Sequence, residues 1–291
     1  MRLFDPHIHM TSRTTDDYEA MAAAGTRAVV EPAFWLGQPR SSAGSFVDYF
    51  NGLLGWEPFR AAQFGIVHHC AIALNPKEAN DRGLAADVLA VLPRYLAKDR
   101  VVAVGEVGYD AQTPAEDEAF AAQVGLAIAH DLPALVHTPH RDKAAGTRRS
   151  LDLCAEAGLP PERTLVDHLN EVTVGLVKER GCWMGFSIYP DTKMDEDRMV
   201  RILQEHGTER VLVNSAADWG RSDPLKVAKT AAAMRAAGFD EDQVDQVVWR
   251  NPVAFYGQSE RLELEEGSPK FDEASVEYEG NSVLRGERAT A

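Results

Sequence analysis

The sequence predicts an α/β protein folded as a closed (β/α)8 barrel, the TIM-barrel architecture. Eight short β-branched runs alternate with longer amphipathic segments over roughly 240 residues, which suits eight βα units around a parallel barrel. No Gly-x-Gly-x-x-Gly follows a predicted strand, which disfavours an open dinucleotide-binding sheet. The predicted strands are residues 2–9, 26–32, 65–74, 100–106, 132–137, 164–168, 181–188 and 210–215.

Helix signals support this alternation. Thr113-Pro114-Ala115-Glu116 combines a capping box with proline at the first helical position. Glycines directly follow several helical runs, where a left-handed cap favours this residue, as at Gly25, Gly158, Gly181, Gly207 and Gly238. The predicted helices are residues 15–24, 84–98, 115–130, 172–180, 195–206 and 224–237.

Two regions depart from the repeating pattern. Residues 33–64, rich in glycine, serine and aromatic residues, predict an enlarged connection between the second strand and the second helix, able to cap the barrel mouth. Residues 258–291 are acidic and low in apolar side chains, which predicts a separate tail. We therefore expect a barrel domain over residues 1–257 and an acidic C-terminal tail over residues 258–291.

Composition narrows the functional classes. The net charge of −15 repels phosphate backbones, so nucleic-acid binding is disfavoured. The N-terminus has no apolar signal core, and no apolar run approaches the ~18 residues that a membrane helix needs. Three widely spaced cysteines predict neither disulfides nor a Cys-x-x-Cys metal motif. These features predict a cytoplasmic protein without a membrane partner.

The most informative motif is His7-Ile8-His9 at the end of the first predicted strand. Side chains two residues apart share a strand face, so the two imidazoles could bind one ion. A barrel places its functional groups at the C-terminal ends of its strands, and further metal-binding side chains occupy those positions. The candidate ligands are His7, His9, Glu106, His137, His168 and Asp218. Four imidazoles and two carboxylates favour Zn²⁺, with Mn²⁺ or Co²⁺ as alternatives.

These residues resemble the TatD family of metal-dependent hydrolases, within the amidohydrolase superfamily. The resemblance rests on residues 5–9, Asp-Pro-His-Ile-His, and on residues 105–110, Gly-Glu-Val-Gly-Tyr-Asp, where the family has Gly-Glu-x-Gly-Leu-Asp. The single histidines on strands five and six and the closing residues 251–257 complete it. The resemblance implies two divalent ions: His7, His9 and Asp218 would bind one, His137 and His168 the other, and Glu106 would bridge them.

The chain departs from the family pattern at two strand ends. Strand eight usually ends in Glu-Thr-Asp, whereas residues 214–218 are Asn-Ser-Ala-Ala-Asp, which moves the aspartate about two residues onward. A shift of two residues preserves the strand face, so Asp218 is expected to reach the metal. The His-Pro that usually follows strand three is Asn75-Pro76 here. These changes predict a divergent member with an altered substrate.

The predicted mechanism is hydrolysis. A bound ion lowers the pKa of its water toward ~7 and a second polarises the bond under attack. Asp218 is the candidate general base. Polar side chains after the strands could contact a small, polar substrate, although loop packing or a salt bridge would also explain them: Glu31, His140, Arg141, Asn170, Tyr189 and Arg221.

The sequence therefore predicts a metal-dependent hydrolase acting on a small ester, lactone, amide or phosphoester. A TatD-type deoxyribonuclease is the first alternative, although the net charge disfavours it. Deamination or isomerisation on the same barrel is the second. A non-enzymatic binding module is the third, and the six converging ligands argue against it.

Overall fold

The computed structural model describes residues 1–264, and its sheet contains eight parallel strands paired in chain order, β1 to β8. This arrangement, with helices between the strands, confirms the predicted barrel. The strands are β1 Leu3–Asp5, β2 Thr26–Pro32, β3 Val67–Ile72, β4 Val101–Gly108, β5 Ala134–His137, β6 Thr164–Val166, β7 Trp183–Ser187 and β8 Val211–Asn214.

The barrel closes where β8 meets β1. Ala216 donates its backbone N–H to the carbonyl of His7 at 2.9 Å, and His9 donates to the carbonyl of Ala217 at 2.9 Å. Both bonds lie beyond the ends of the two strands. The first strand is shorter than predicted because regular pairing with β2 stops at Asp5, so both histidines of the His-x-His motif lie past it.

Eleven α-helical segments lie within the described residues, and the first has the predicted limits. The segment Lys143–Glu156 was not predicted, because few of its residues are apolar. The segments are α1 Thr15–Ala24, α2 Ala43–Asn51, α3 Glu57–Ala62, α4 Arg82–Leu96, α5 Pro114–Ala129, α6 Lys143–Glu156, α7 Val174–Glu179, α8 Glu196–His206, α9 Lys226–Ala236, α10 Glu241–Asp245 and α11 Asn251–Tyr256.

The enlarged connection after β2 contains α2 and α3, joined by a π-helical turn at Gly52–Trp56. Phe46 and Phe50 on α2 are buried in the core shared with β3 and α4. Arg40 anchors the preceding loop, because its guanidinium pairs with Glu78 at 2.5 Å and lies over the Phe46 ring. This loop is therefore held to the connection between β3 and α4.

The opposite end of the barrel is filled by apolar side chains. Phe4 lies at the base of β1 against Trp249 and Tyr256, both from the helical segment after α10. The last described residues also pack there: Arg261 donates to the carbonyl of Leu96, and Leu264 contacts this cluster. The predicted tail beyond residue 264 lies outside the described residues. No helix in residues 1–264 is long and apolar enough to cross a membrane.

Candidate metal centre

Four histidines and one glutamate meet at the C-terminal end of the strands. Glu106 in β4 lies at the centre: its Oε1 is 3.0 Å from His168 Nε2, 3.1 Å from His137 Nδ1 and 3.6 Å from His7 Nε2. His9 joins through its Nε2, which is 3.2 Å from His7 Nε2. The structure thus brings together five of the six side chains predicted as ligands.

The proton on the His7 ring is fixed by Asp167, which follows β6. His7 Nδ1 lies 2.6 Å from Asp167 Oδ2, and both groups are buried. An ionised carboxylate only accepts hydrogen bonds, so Nδ1 carries the proton and donates it. In the neutral ring, the Nε2 atom of His7 is then a bare acceptor that faces Glu106. This carboxylate–histidine pair is the arrangement that orients ligating histidines in metal sites.

A chain of hydrogen bonds fixes the proton on His168 in the same way. Asn214 at the end of β8 places its amide nitrogen 3.0 Å from both oxygens of Asp167, so its carbonyl oxygen must face Ser187. Ser187 donates its hydroxyl hydrogen to that oxygen at 2.7 Å. The Ser187 oxygen therefore accepts from His168 Nδ1, 2.6 Å away. His168 Nε2 is left as a second bare acceptor.

With both rings neutral, three acceptor atoms therefore face one another: His7 Nε2, His168 Nε2 and Glu106 Oε1. His7, His168 and Glu106 each offer one ligand atom, and these three atoms lie within 4.8 Å of one another. Acceptors repel one another unless a cation lies between them. The separation of His7 and His9 also suits a shared ion, because two nitrogens bound tetrahedrally to zinc at about 2.0–2.1 Å lie about 3.3 Å apart. The donor set fits one or two divalent transition-metal ions.

The electrostatics of the cluster favour a cation as well. Burial acts to lower the pKa of His7, but the charge of Glu106 and the hydrogen bond to Asp167 raise it above its usual value. Burial acts to raise the pKa of Glu106, yet the nearby charges of His7 and His137 lower it well below its usual range. Burial, followed by the charge of Lys193, lowers the pKa of His168. Glu106 is ionised at neutral pH, and neutral His168 has a free lone pair.

Sequence patterning does not predict the role of Asp167. Consecutive residues of a strand point to opposite faces, so regular alternation would direct Asp167 away from the centre that His168 faces. β6 ends at Val166, and His168 adopts a left-handed conformation with φ of 60°, which breaks the alternation. Gly185 on β7 leaves room for the carboxylate, because a Cβ there would lie 2.5 Å from Asp167 Oδ1. The one sequence signal was an acidic residue directly before a candidate ligand.

Two further contacts complete the centre. Asn75, where the TatD resemblance expects histidine, donates its side-chain amide to Glu106 Oε2 at 3.3 Å. The amide thus orients the central carboxylate from the side opposite the histidines. His137 Nε2 is buried and has no hydrogen-bond partner within the described residues, which leaves it free for an ion.

Comparison with known proteins agrees with this geometry. A family model described as TatD related DNase matches residues 4–257. The chain belongs to the TatD family. Like this family it is a metal-dependent hydrolase, which excludes the non-enzymatic binding module.

Individual relatives span the same TatD barrel. An uncharacterized metal-dependent hydrolase of Methanocaldococcus jannaschii is 25% identical over 258 residues, covering 87% of this chain and 99% of the relative. The crystal structure of a TatD-like protein from Archaeoglobus fulgidus has 26% identity and a TM-score of 0.71, covering 87% of this chain and 99% of that chain. A phosphotriesterase homology protein from Escherichia coli, with 15% identity and a TM-score of 0.62, covers 88% of this chain and 98% of its own; it shares the fold.

The strand-eight aspartate is where this TatD protein differs from expectation. The two-residue shift was expected to keep Asp218 on the face of the ligands, but strand alternation cannot place this residue. β8 ends at Asn214 and Ala216 has φ of 42°, so strand alternation stops before residue 218. Asp218, like His9 and His137, lies outside the group of three residues whose ligand atoms converge most closely.

Asp218 is instead held by its own connection. Its Oδ1 accepts from the Tyr189 hydroxyl at 3.0 Å and from the Gly220 backbone at 2.8 Å. No hydrogen bond to its Oδ2 occurs in residues 1–264, so this oxygen is free to accept a proton. Burial, with the charge and hydrogen bond of Asp218, raises the pKa of Tyr189 to about 12, so its hydroxyl stays protonated and donates.

Glu31 does not reach the barrel mouth. Its side chain is fully buried, accepts from the Thr11 backbone at 2.8 Å and lies 2.9 Å from His68 Nε2. Glu31 therefore pairs with His68 inside the barrel. The carboxylate already has these partners, so we do not retain it as a substrate contact.

The other predicted substrate residues differ in position. Asn170 accepts from the backbone of Val172 at 3.0 Å and so stabilises the turn before α7. His140, Arg141 and Arg221 are exposed on the connections after β5 and β8. Tyr189 donates to Asp218. Burial, followed by the charges of Lys193 and His137, lowers the pKa of His140, which lies close enough to His137 for that charge to act on it.

Aromatic rings form one wall of the site. Phe34, in the enlarged connection, stacks on His9 with a centroid distance of 4.0 Å. Trp219 stacks on the other side of Phe34 at 5.8 Å and is 52% exposed. This stack limits the freedom of the His9 ring and shields it from water.

Proposed function

We propose that this TatD protein hydrolyses a small ester, lactone, amide or phosphoester with the aid of one or two divalent ions, of which zinc fits best. The observation that carries the proposal is the convergence of three proton-free acceptors on His7, His168 and Glu106. A divalent ion there would activate water and polarise the oxygen of the bond under attack. Zinc is favoured because nitrogen donors outnumber oxygen donors, although Mn²⁺ and Co²⁺ accept the same ligands.

The residues take distinct roles in this proposal. His7 and His9 would hold one ion, His137 and His168 the other, with Glu106 between them. Asp218 is assigned as the proton acceptor rather than as a ligand. Its Oδ1 is fixed by Tyr189 and Gly220, while Oδ2 remains free to take a proton from the attacking water and pass it to the leaving group.

The test combines elemental analysis with a substrate screen. Protein purified without added metal should contain divalent ions and hydrolyse at least one class among lactones, carboxylic esters and phosphoesters. His7→Ala should lose both bound metal and turnover, whereas His206→Ala, at the end of α8, should retain both. A folded wild-type protein that binds no ion on titration would overturn the proposal.

A TatD-type nuclease is the second candidate, and the description of the family model favours it. The net charge of −15 counts against it, because long phosphate backbones are repelled. Metal-dependent cleavage of single-stranded DNA that weakens steeply with salt would establish this activity. Deamination or isomerisation would instead appear as ammonia release or as a product of unchanged mass.

A further inference from the structure

Two lysines lie beside the metal centre and belong to none of the roles described so far. Lys193, in the connection between β7 and α8, places its Nζ 3.1 Å from His168 Nδ1. Lys143, the first residue of α6, donates from Nζ to the Thr138 hydroxyl at 2.8 Å. Both side chains are partly buried. They approach the centre from two different connections.

Lys193 forms no close ion pair within residues 1–264. His168 Nδ1 is its nearest polar neighbour, but that atom already carries a hydrogen, which it donates to Ser187. No carboxylate lies within 4.0 Å of Nζ in residues 1–264, and the charges of Asp167, Glu106 and Asp218 act on Lys193 only from farther away. A partly buried ammonium group without a close counter-charge is unfavourable unless something else supplies it.

Lys143 is in a similar position. Its ammonium contacts only neutral oxygens, the Thr138 hydroxyl and the Pro139 carbonyl at 3.4 Å, and it forms no ion pair within the described part of the chain. Other lysines of this acidic protein do have carboxylate partners, as in the pair of Lys77 with Asp110 at 2.7 Å. Burial, followed by repulsion from Lys193, lowers the pKa of Lys143 to about 8.

We propose, resting on the hydrolase function above, that Lys143 and Lys193 form an anion subsite beside the metal centre, and that the substrate carries a carboxylate or phosphate group in addition to the bond that is cleaved. The metal ligands would act at the scissile bond, and the two ammonium groups would bind the second, charged end. This assignment also fits the overall charge. An acidic surface disfavours a long polyanion, whereas two partly buried lysines attract one small anion.

The first experiment measures binding without catalysis. Inorganic phosphate and acetate are titrated calorimetrically into the metal-loaded wild type, Lys143→Met, Lys193→Met and Lys77→Met, after elemental analysis has shown equal metal content. Each of the first two substitutions should weaken binding of at least one anion by about tenfold or more, because a charge-assisted hydrogen bond is lost. Lys77→Met removes the same charge from a lysine that has its own carboxylate partner, and should leave affinity unchanged.

Equal anion affinity in all four proteins would show that the ions alone hold the anion, and would overturn the proposal. Lys143→Arg and Lys193→Arg guard against local misfolding, because they keep the charge and should bind better than the methionine variants. The relative effects on phosphate and acetate identify which group the subsite prefers. The proposal would also be overturned if a single-stranded oligonucleotide bound more tightly than phosphate and acetate, and if that binding depended on the two lysines.

The second experiment tests substrate choice. We compare kcat/KM for para-nitrophenyl hemisuccinate, which carries a free carboxylate, with that for the uncharged para-nitrophenyl butyrate. The wild type should prefer the anionic ester, and the preference should fall about tenfold or more in Lys143→Met and Lys193→Met. If no protein hydrolyses any ester, lactone or phosphoester, the proposed function fails, while the calorimetric result still decides whether the anion subsite exists. An unchanged preference would contradict the subsite.

Discussion

Replacement of Asp167 by asparagine tests whether this carboxylate sets the proton on His7. Asp167 Oδ2 accepts from His7 Nδ1, and both oxygens accept from Asn214. An asparagine has one acceptor oxygen and one donor nitrogen in place of the two oxygens. In one orientation its NH2 group would face His7 Nδ1–H, and in the other it would face the amides of Asn214 and His168, so two donors meet in both cases. A change of tautomer that moves the His7 proton from Nδ1 to Nε2 would remove the first of these donor–donor contacts. It would, however, place a hydrogen on the Nε2 atom that faces Glu106.

The expected result is weaker metal binding. Removal of a carboxylate that orients a ligating histidine lowers metal affinity about 10- to 100-fold, which corresponds to about 1.4–2.7 kcal/mol. Competition with a chromophoric chelator measures the dissociation constant. Asp195→Asn is the matched control, since Asp195 caps α8 and asparagine caps equally well. Wild-type metal affinity in a folded Asp167→Asn protein would refute the argument.

Three further substitutions probe other parts of the protein. Asp218→Asn should lower kcat about 10²- to 10⁴-fold with unchanged metal content, as loss of a proton acceptor predicts; full turnover would exclude that role. Arg40→Met should lower the free energy of unfolding by about 3 kcal/mol, because it leaves Glu78 buried without its partner. Chemical denaturation checks this, and a loss below about 1 kcal/mol would contradict it. Burial, followed by the charges of His68 and Arg100, lowers the pKa of His69 to about 3. Below a pH of about 6.5, this histidine takes up a proton in the unfolded chain but not in the folded protein. The free energy of unfolding therefore falls as the pH drops below that value. From pH 7.5 to pH 5, the wild type should therefore lose about 2 kcal/mol more than His69→Gln, and equal losses would exclude this contribution.

The barrel could be predicted because its signals are local and repeated. β-Branched runs, helix caps and glycine endings each depend on a few neighbouring residues, and the limits of α1 and β2 agree with the structure. The strand ends were predicted less well. β1 was expected to reach His9 and β6 to reach His168, but pairing ends at Asp5 and Val166. At both ends the backbone leaves the ladder where its side chains turn toward the metal centre.

The ligands at these ends were found by residue type, whereas their supporting residues were not. Histidine and glutamate that recur at the C-terminal ends of barrel strands indicate a metal site, because those positions carry the functional groups of the fold. Ser187 and Asn214 are common polar residues whose significance appears only once β6, β7 and β8 lie side by side. Asp167 was hidden by the assumption of strand alternation, which His168 breaks with its positive φ. Sequence therefore predicts which atoms bind, and the three-dimensional structure shows which protons they carry.

The altered strand eight has an electrostatic consequence that links the metal centre to the lysines. The family pattern Glu-Thr-Asp would place two carboxylates where this chain has Asn214, Ser215 and Ala216, all uncharged. Among the described residues, the carboxylates in contact with the histidine cluster are Glu106 and Asp167, which balance one divalent ion. Two ions, with the ammonium groups beside them, would leave an excess of positive charge in a buried site. A substrate with its own negative charge would offset that excess, so the uncharged residues at the end of β8 and the two lysines without close ion pairs favour the same class of ligand.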